Sequence, residues 1–126
     1  MKHGAGMKKV FIIDDDKLIT TIYSDFFAAK GYIVSSTNSS FGVTNGIKTL
    51  DPDVVILDLN LPGLSDKGLI NVIDSNGNSK IVLISGNSQE TEMKTLVESG
   101  RAHDYFVKGE PLDKLGHKIV SLLEQV

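Results

Sequence analysis

The sequence predicts an α/β protein: a doubly wound sheet of five parallel strands flanked by helices. Three observations carry this. Five short apolar, β-rich runs alternate with helix-patterned segments over roughly 120 residues. Some runs are continuously apolar, as strands covered by helices on both faces require. The polar residues best suited to chemistry fall at the carboxyl ends of the runs, where open α/β sheets bind ligands.

KKVFII (8–13) is the first strand, apolar and β-rich. DKLITTIYSDFFAAKG follows as a helix, with Asp16 as its N-cap and Gly31 as its C′ stop. Leu18, Ile22 and Ala29 share one face of it with Ile19 and Phe26, which is the face expected to be buried. YIVSST (32–37) is a second, weaker strand. NSSFGVTNGIKTL is poor in helix formers and holds Gly42 and Gly46, yet Phe41, Ile47 and Leu50 give it a helical stripe.

DPDVVILDLNLPG contains the third strand, running from Val54 through Leu57 and ending at Asp58, with a turn at Pro62-Gly63. A short helix is expected around 67–74, then the loop SNGNS. KIVLISGN is the fourth strand, ending at Ser85. SQETEMKTLVESG reads as a helix with Ser88 as N-cap and Gly100 as stop. AHDYFVKGEP is the fifth strand, ending near Lys108. PLDKLGHKIVSLLEQV closes the chain as an amphipathic helix, with Pro111 near its start and Leu112, Leu115, Ile119 and Leu122 at helical spacing. Gly116 weakens that helix locally.

The 126 residues suit one domain, and 40% hydrophobic with 23% charged residues is ordinary globular composition. A net charge of −3 gives no basic footprint for nucleic acid. There is no cysteine, so disulfides, thiolate metal sites and thiol catalysis are excluded. No apolar run is long enough to span a bilayer, and a cytoplasmic setting is expected. Residues 1–6, MKHGAG, read as a disordered tail or expression remnant before a start at Met7. His3 reads as a tag-like residue, and His103 and His117, which lack paired ligand spacing, read as surface residues.

The strand ends hold a specific set of groups. Asp14, Asp15 and Asp16 follow the first strand, Asp58 ends the third, Ser85 the fourth and Lys108 the fifth. Two like charges 4 Å apart repel by roughly 4 kcal/mol at an effective dielectric near 20. Clustered carboxylates therefore either hold protons or share a cation. All the ligands are oxygens, so the ion is hard. Mg²⁺ fits better than Ca²⁺, being held by one or two carboxylates, waters and a phosphate. Asp16 is accounted for as a helix cap. Asp58 is then a candidate nucleophile for a phosphoryl group, Lys108 a cation for its oxygens and Ser85 a hydroxyl donor.

In order and spacing, IIDDD, ILDLNLPG, LIS and YFVK resemble the response-regulator receiver domain of the chemotaxis (CheY-like) type, over 7–126. The resemblance implies a (βα)5 flavodoxin-like sheet of strand order 2-1-3-4-5. It implies that Asp58 is the phosphoacceptor, and that Asp15 ligates Mg²⁺ directly and Asp14 through water. The backbone carbonyl of Asn60 would complete the metal shell. Ser85 would be the switch hydroxyl, Lys108 the phosphate-pairing lysine, and Tyr105 the aromatic that turns inward when Ser85 meets the phosphoryl group. The implied phosphodonor is a sensor histidine kinase or a histidine phosphotransfer protein. The output is a downstream effector protein, not nucleic acid or membrane bound by this domain, and the state is a monomer or a dimer promoted by phosphorylation. Such a protein promotes its own phosphorylation and is not a turnover enzyme.

Three positions depart from the family pattern. Gly109 replaces the usual proline after the lysine, Gly86 the common alanine after Ser85, and LPGLSDKG is about one residue longer than usual. Asn60 and Asn87 sit where the family tunes phosphoryl lifetime. Two alternatives remain at this point. One is an interaction module of the same fold that has lost phosphorylation. The other is a haloacid-dehalogenase-type phosphatase, whose signature needs an aspartate where this chain has Asn60. A flavodoxin-like cofactor binder fits less well, because its phosphate loop after the first strand should be rich in Ser, Thr and Gly, whereas three aspartates would repel a phosphate without a metal.

Overall fold

The computed structural model describes residues 7–62, 66–75 and 78–124. Strands β1 (Lys9–Ile13), β2 (Ile33–Thr37), β3 (Val54–Asp58), β4 (Lys80–Ser85) and β5 (Asp104–Val107) form one parallel sheet in the order β2-β1-β3-β4-β5. Helices α1 (Lys17–Ala29), α2 (Val43–Leu50), α3 (Asp66–Ser75), α4 (Glu90–Glu98) and α5 (Leu112–Leu123) alternate with the strands. The fold class and strand order are those expected. The 1–6 tail and the middle of LPGLSDKG lie outside the described residues. No helix among the described residues is long and apolar enough to cross a membrane.

Successive strand residues face opposite sides of a sheet, and both sides here are buried. Val10, Ile12, Val54, Ile56, Val82, Ile84 and Phe106 pack against Tyr23 and Phe27 of α1 and Leu115, Ile119 and Leu122 of α5. Phe11, Ile13, Val55, Leu57, Ile81, Leu83 and Val107 pack against α2, α3 and α4 through Ile47, Ile70, Met93 and their neighbours. Each such aliphatic or aromatic side chain contributes about 1.5–3 kcal/mol on burial.

This alternation also sorts the polar strand ends. Asp14 continues the Val10–Ile12 row, Asp58 the Val54–Ile56 row and Lys108 the row of Phe106, all on the α1/α5 side. Ser85 continues the Ile81–Leu83 row and Tyr105 precedes Val107, both on the α4 side. The parallel ladder extends one residue beyond two strands: Asp14 N–H donates to Thr37 O (3.2 Å) and Lys108 N–H to Ser85 O (2.7 Å).

Three local expectations are corrected. The buried line of α1 is Thr20, Tyr23 and Phe27, while Leu18 and Ile22 are exposed and Ala29 faces solvent. The entry loop sets this rotation. Asp16 caps the helix by accepting from Leu18 N–H (2.9 Å), and the Thr20 hydroxyl is drawn inward to accept from the Asn38 amide (3.0 Å). Second, Phe41 sits in a 3₁₀ turn (Ser40–Gly42) and is 94% exposed, so Val43 and Ile47 carry the buried stripe of α2 instead. Third, Ser88 does not cap α4. A 3₁₀ turn over Asn87–Gln89 precedes the helix, and Gln89 holds the cap position without a side-chain cap bond. Gly31 and Gly100 do end their helices, at φ +96° and +83°. Gly116 of α5 lies under the Phe26 ring, where an added Cβ would sit 3.3 Å from two ring carbons. Its small size lets α1 and α5 approach.

Candidate functional site

The carboxyl ends of β1, β3, β4 and β5 bring Asp14, Asp15, Asp58, Ser85 and Lys108 to one edge of the sheet, as the strand-end rule expects. Asp14, Asp58 and Ser85 are buried, and Asp15 is exposed. Among the described residues, Asp14, Asp15 and Asp58 each offer a carboxylate oxygen, all within 4.8 Å of one another.

Hydrogen bonds fix the loop that carries the first two acids. Asp14 Oδ1 accepts from Asp16 N–H (2.9 Å), and the Asn38 amide donates to the Asp14 carbonyl (2.8 Å). Asp14 Oδ2 is buried with no aligned donor, and its charge is met by the Lys108 ammonium at 2.8 Å. The same ammonium lies 3.6 Å from Asp58 Oδ1, which also accepts from Asn60 N–H (3.1 Å). Lys108 thus pairs with two acids of a cluster of three.

Burial and the crowding of acids both disfavour the charge on Asp58. Burial, then the nearby Asp14 and Asp15 charges, push its carboxyl up to about 6, against the Asn60 N–H and Lys108, which favour ionisation. Burial works against the Lys108 charge, yet Asp14 and Asp58 hold its pKa above the usual lysine value. A buried acid oxygen with no aligned donor, three convergent carboxylates and an all-oxygen donor set fit a hard divalent cation. The Asn60 N–H and the Lys108 ammonium both favour the ionised carboxylate that a nucleophile needs.

Ser85 points the other way. Its hydroxyl donates to Gln89 Oε1, and Gln89 in turn grips Asn60: the Asn60 amide donates to the same oxygen, and Gln89 Nε2 donates to Asn60 Oδ1 at 2.8 Å. Asn60 Nδ2 also reaches Ser85 Oγ at 3.3 Å. Tyr105 is turned outward. Its hydroxyl donates to Glu90 Oε2 (3.0 Å), and Lys118 Nζ stands 5.5 Å from its ring centroid. The Asn87 side chain is exposed.

Two residues of this site escaped the sequence reading. Asn38 directly follows β2, so the rule that singled out the other strand ends covers it. Gln89 lies four residues beyond Ser85 with no spacing that marks it.

The family model for the response regulator receiver domain matches residues 10–120. The chain is 26% identical over 117 residues to the TorCAD operon transcriptional regulatory protein TorR of Escherichia coli K12, covering 93% of this chain and 50% of TorR. It is 30% identical over 111 residues to the transcriptional regulatory protein KdpE of Staphylococcus aureus, covering 88% of this chain and 48% of KdpE. The chain therefore spans about half the length of the curated relatives it matches. Among solved structures, the receiver domain of the TMAO respiratory response regulator TorR superposes with a TM-score of 0.81 at 27% identity, covering 92% of this chain and 96% of that one. A CheY-like receiver domain from Methanospirillum hungatei gives 0.83 at 20% identity, covering 94% and 95%, a likeness of fold. Sheet order, strand-end chemistry and these likenesses agree: the chain belongs to the response regulator receiver domain family.

Proposed function

We propose that residues 7–126 form a phosphoacceptor receiver that takes a phosphoryl group from a phosphohistidine onto Asp58. The observation that carries the reading is the Asp58 carboxylate, held at the end of β3 with Asp14 and Asp15 on one side and the Lys108 ammonium 3.6 Å away. An Asp58 oxygen attacks phosphorus, the P–N bond to the donor imidazole breaks, and the electron pair leaves on that nitrogen. The donor is a sensor histidine kinase or a histidine phosphotransfer protein.

The chain's own groups divide the work. The Asn60 N–H bond to Oδ1 orients the nucleophile. Lys108 is placed to balance phosphoryl charge as it arrives. Asp14, Asp15, Asp58 and the Asn60 backbone carbonyl would hold Mg²⁺, which when bound supplies charge neutralisation for carboxylates and phosphoryl oxygens alike. A response regulator protein, TrrA of Thermotoga maritima, that shares this fold was solved in complex with Mg²⁺ and beryllofluoride. Ser85 and Tyr105 are the switch pair: the hydroxyl moves to a phosphoryl oxygen and the ring turns inward. The face built of α4, β5 and α5 then binds a downstream effector protein, with the domain a monomer or a phosphorylation-promoted dimer, in the cytoplasm. The domain itself binds neither nucleic acid nor membrane, and it turns over no substrate. The Asn60 carboxamide has no acidic proton to give a leaving group, which weighs against a phosphatase of the haloacid-dehalogenase type.

Intact mass after incubation with acetyl phosphate and Mg²⁺ tests the reading. One added phosphoryl group is expected, lost in Asp58→Asn and without metal. A folded protein that gains no phosphoryl group and binds no beryllofluoride would favour an interaction module of the same fold.

A further inference from the structure

Both members of the proposed switch pair are tied to adjacent residues at one point of the chain. Ser85 donates to Gln89, and Tyr105 donates to Glu90. Strand alternation explains the convergence. Ser85 and Tyr105 project to the α4 side of the sheet, and Gln89–Glu90 is where α4 begins. The tie at Gln89 is a closed ring of three side chains: Asn60, two residues after Asp58, both donates to and accepts from the Gln89 carboxamide, and its Nδ2 also reaches Ser85 Oγ at 3.3 Å.

These bonds set up a competition. The Ser85 hydroxyl has one proton to donate, and it is spent on Gln89. To donate to a phosphoryl oxygen on Asp58, Ser85 must leave Gln89. Turning inward likewise requires the Tyr105 hydroxyl to leave Glu90 and its ring to leave the Lys118 ammonium. Among the described residues, Gln89 and Glu90 bond to Ser85, Asn60 and Tyr105 rather than to the acids or Lys108. They instead join the helix that borders the output face to the two side chains that must move.

We propose that Gln89 and Glu90 form a clasp that holds Ser85 and Tyr105 in the unphosphorylated arrangement, and that phosphorylation acts by drawing Ser85 out of it. The inference rests on the phosphoacceptor reading above. Gln89 is a positioning residue here, acting on Ser85 and Asn60. The clasp lowers affinity for the phosphorylated state, since a ligand must displace its bonds before the competent arrangement forms.

The test measures beryllofluoride affinity by calorimetry in saturating Mg²⁺, a phosphoryl mimic that does not turn over and so removes lifetime effects. Gln89→Met keeps the side chain's length and loses its polar atoms. It is expected to bind beryllofluoride about three- to tenfold more tightly than wild type, the worth of one neutral hydrogen bond. Glu90→Ala is expected to tighten binding too, and in metal-free protein to shift the Tyr105 ring resonances toward those of the beryllofluoride complex. The gain from Gln89→Met should vanish in a Ser85→Ala background, which a merely structural role would not produce. Equal or weaker binding by Gln89→Met, or the same gain without Ser85, overturns the clasp while leaving the phosphoacceptor reading intact. If Gln89→Met does not fold, Glu90→Ala decides by the same two readouts, and unchanged affinity with an unmoved ring overturns the clasp. Wild-type protein that binds no beryllofluoride overturns both.

Discussion

Removing the charge of Asp58 should stabilise the metal-free protein, more at high pH than at low pH. Burial and the Asp14 and Asp15 charges raise its carboxyl from 3.8 to about 6. Between those values the native state holds a proton that the unfolded state has lost, so stability falls as pH rises. The contribution is fully present below the unfolded value and is lost as pH rises through about 6. Two units at about 1.4 kcal/mol each give a ceiling of about 3 kcal/mol. An asparagine at 58 keeps an oxygen to accept from Asn60 N–H and leaves the Lys108–Asp14 pair at 2.8 Å in place. Urea unfolding of Asp58→Asn beside wild type, in chelator, should therefore show a gain of about 1–3 kcal/mol at pH 8 that closes toward pH 4. A variant less stable than wild type at pH 8, or a gain independent of pH, would refute the claim that burial and the neighbouring acids disfavour the Asp58 charge.

Three further outcomes follow from the same contacts. Lys108→Met leaves Asp14 and Asp58 without their shared cation and should cost about 2–4 kcal/mol at pH 8 in chelator, read from urea midpoints. Asn38→Ala removes the side-chain donor to the Asp14 carbonyl and to the Thr20 hydroxyl, which keeps its own bond to the Lys17 carbonyl; a loss of about 1–2 kcal/mol is expected, with weaker Mg²⁺ binding by calorimetry because the acid loop is no longer held. Gly46→Ala would drive a Cβ into the Phe11 ring, within 2.8 Å of Cε1, and thermal unfolding should show a loss of about 1–3 kcal/mol.

Much of this site is legible in the sequence because a parallel sheet makes it so. Strand ends are read from apolar runs, and Asp58, Ser85 and Lys108 then fall at one edge whatever the helices do. Rotation about a helix axis is less legible. Apolar spacing alone favoured Leu18 and Ile22, but α1 turns on the Asp16 cap and on the Asn38–Thr20 bond, and the second of these spans 18 residues. The start of α4 failed for the same reason. Ser88 has the chemistry of a cap, yet the preceding turn is shaped by Gln89 reaching across to Asn60, 29 residues away. Gly116 read as a defect in its helix because its partner, Phe26, lies on another one. His103 read as a surface residue; it is exposed, but its Nδ1 accepts from Ile81 N–H at 3.0 Å. Side-chain bonds between distant segments leave no period behind them.

The most direct measurement of the central claim traps the acceptor itself. Protein incubated with acetyl phosphate and Mg²⁺ is treated with borohydride, which reduces an aspartyl phosphate to homoserine, and its peptides are sequenced by mass spectrometry. The account predicts homoserine at position 58 and at no other aspartate, with none when metal is withheld. Homoserine at Asp14 or Asp15 with Asp58 intact, or a phosphoryl group carried on a histidine or serine, would contradict it.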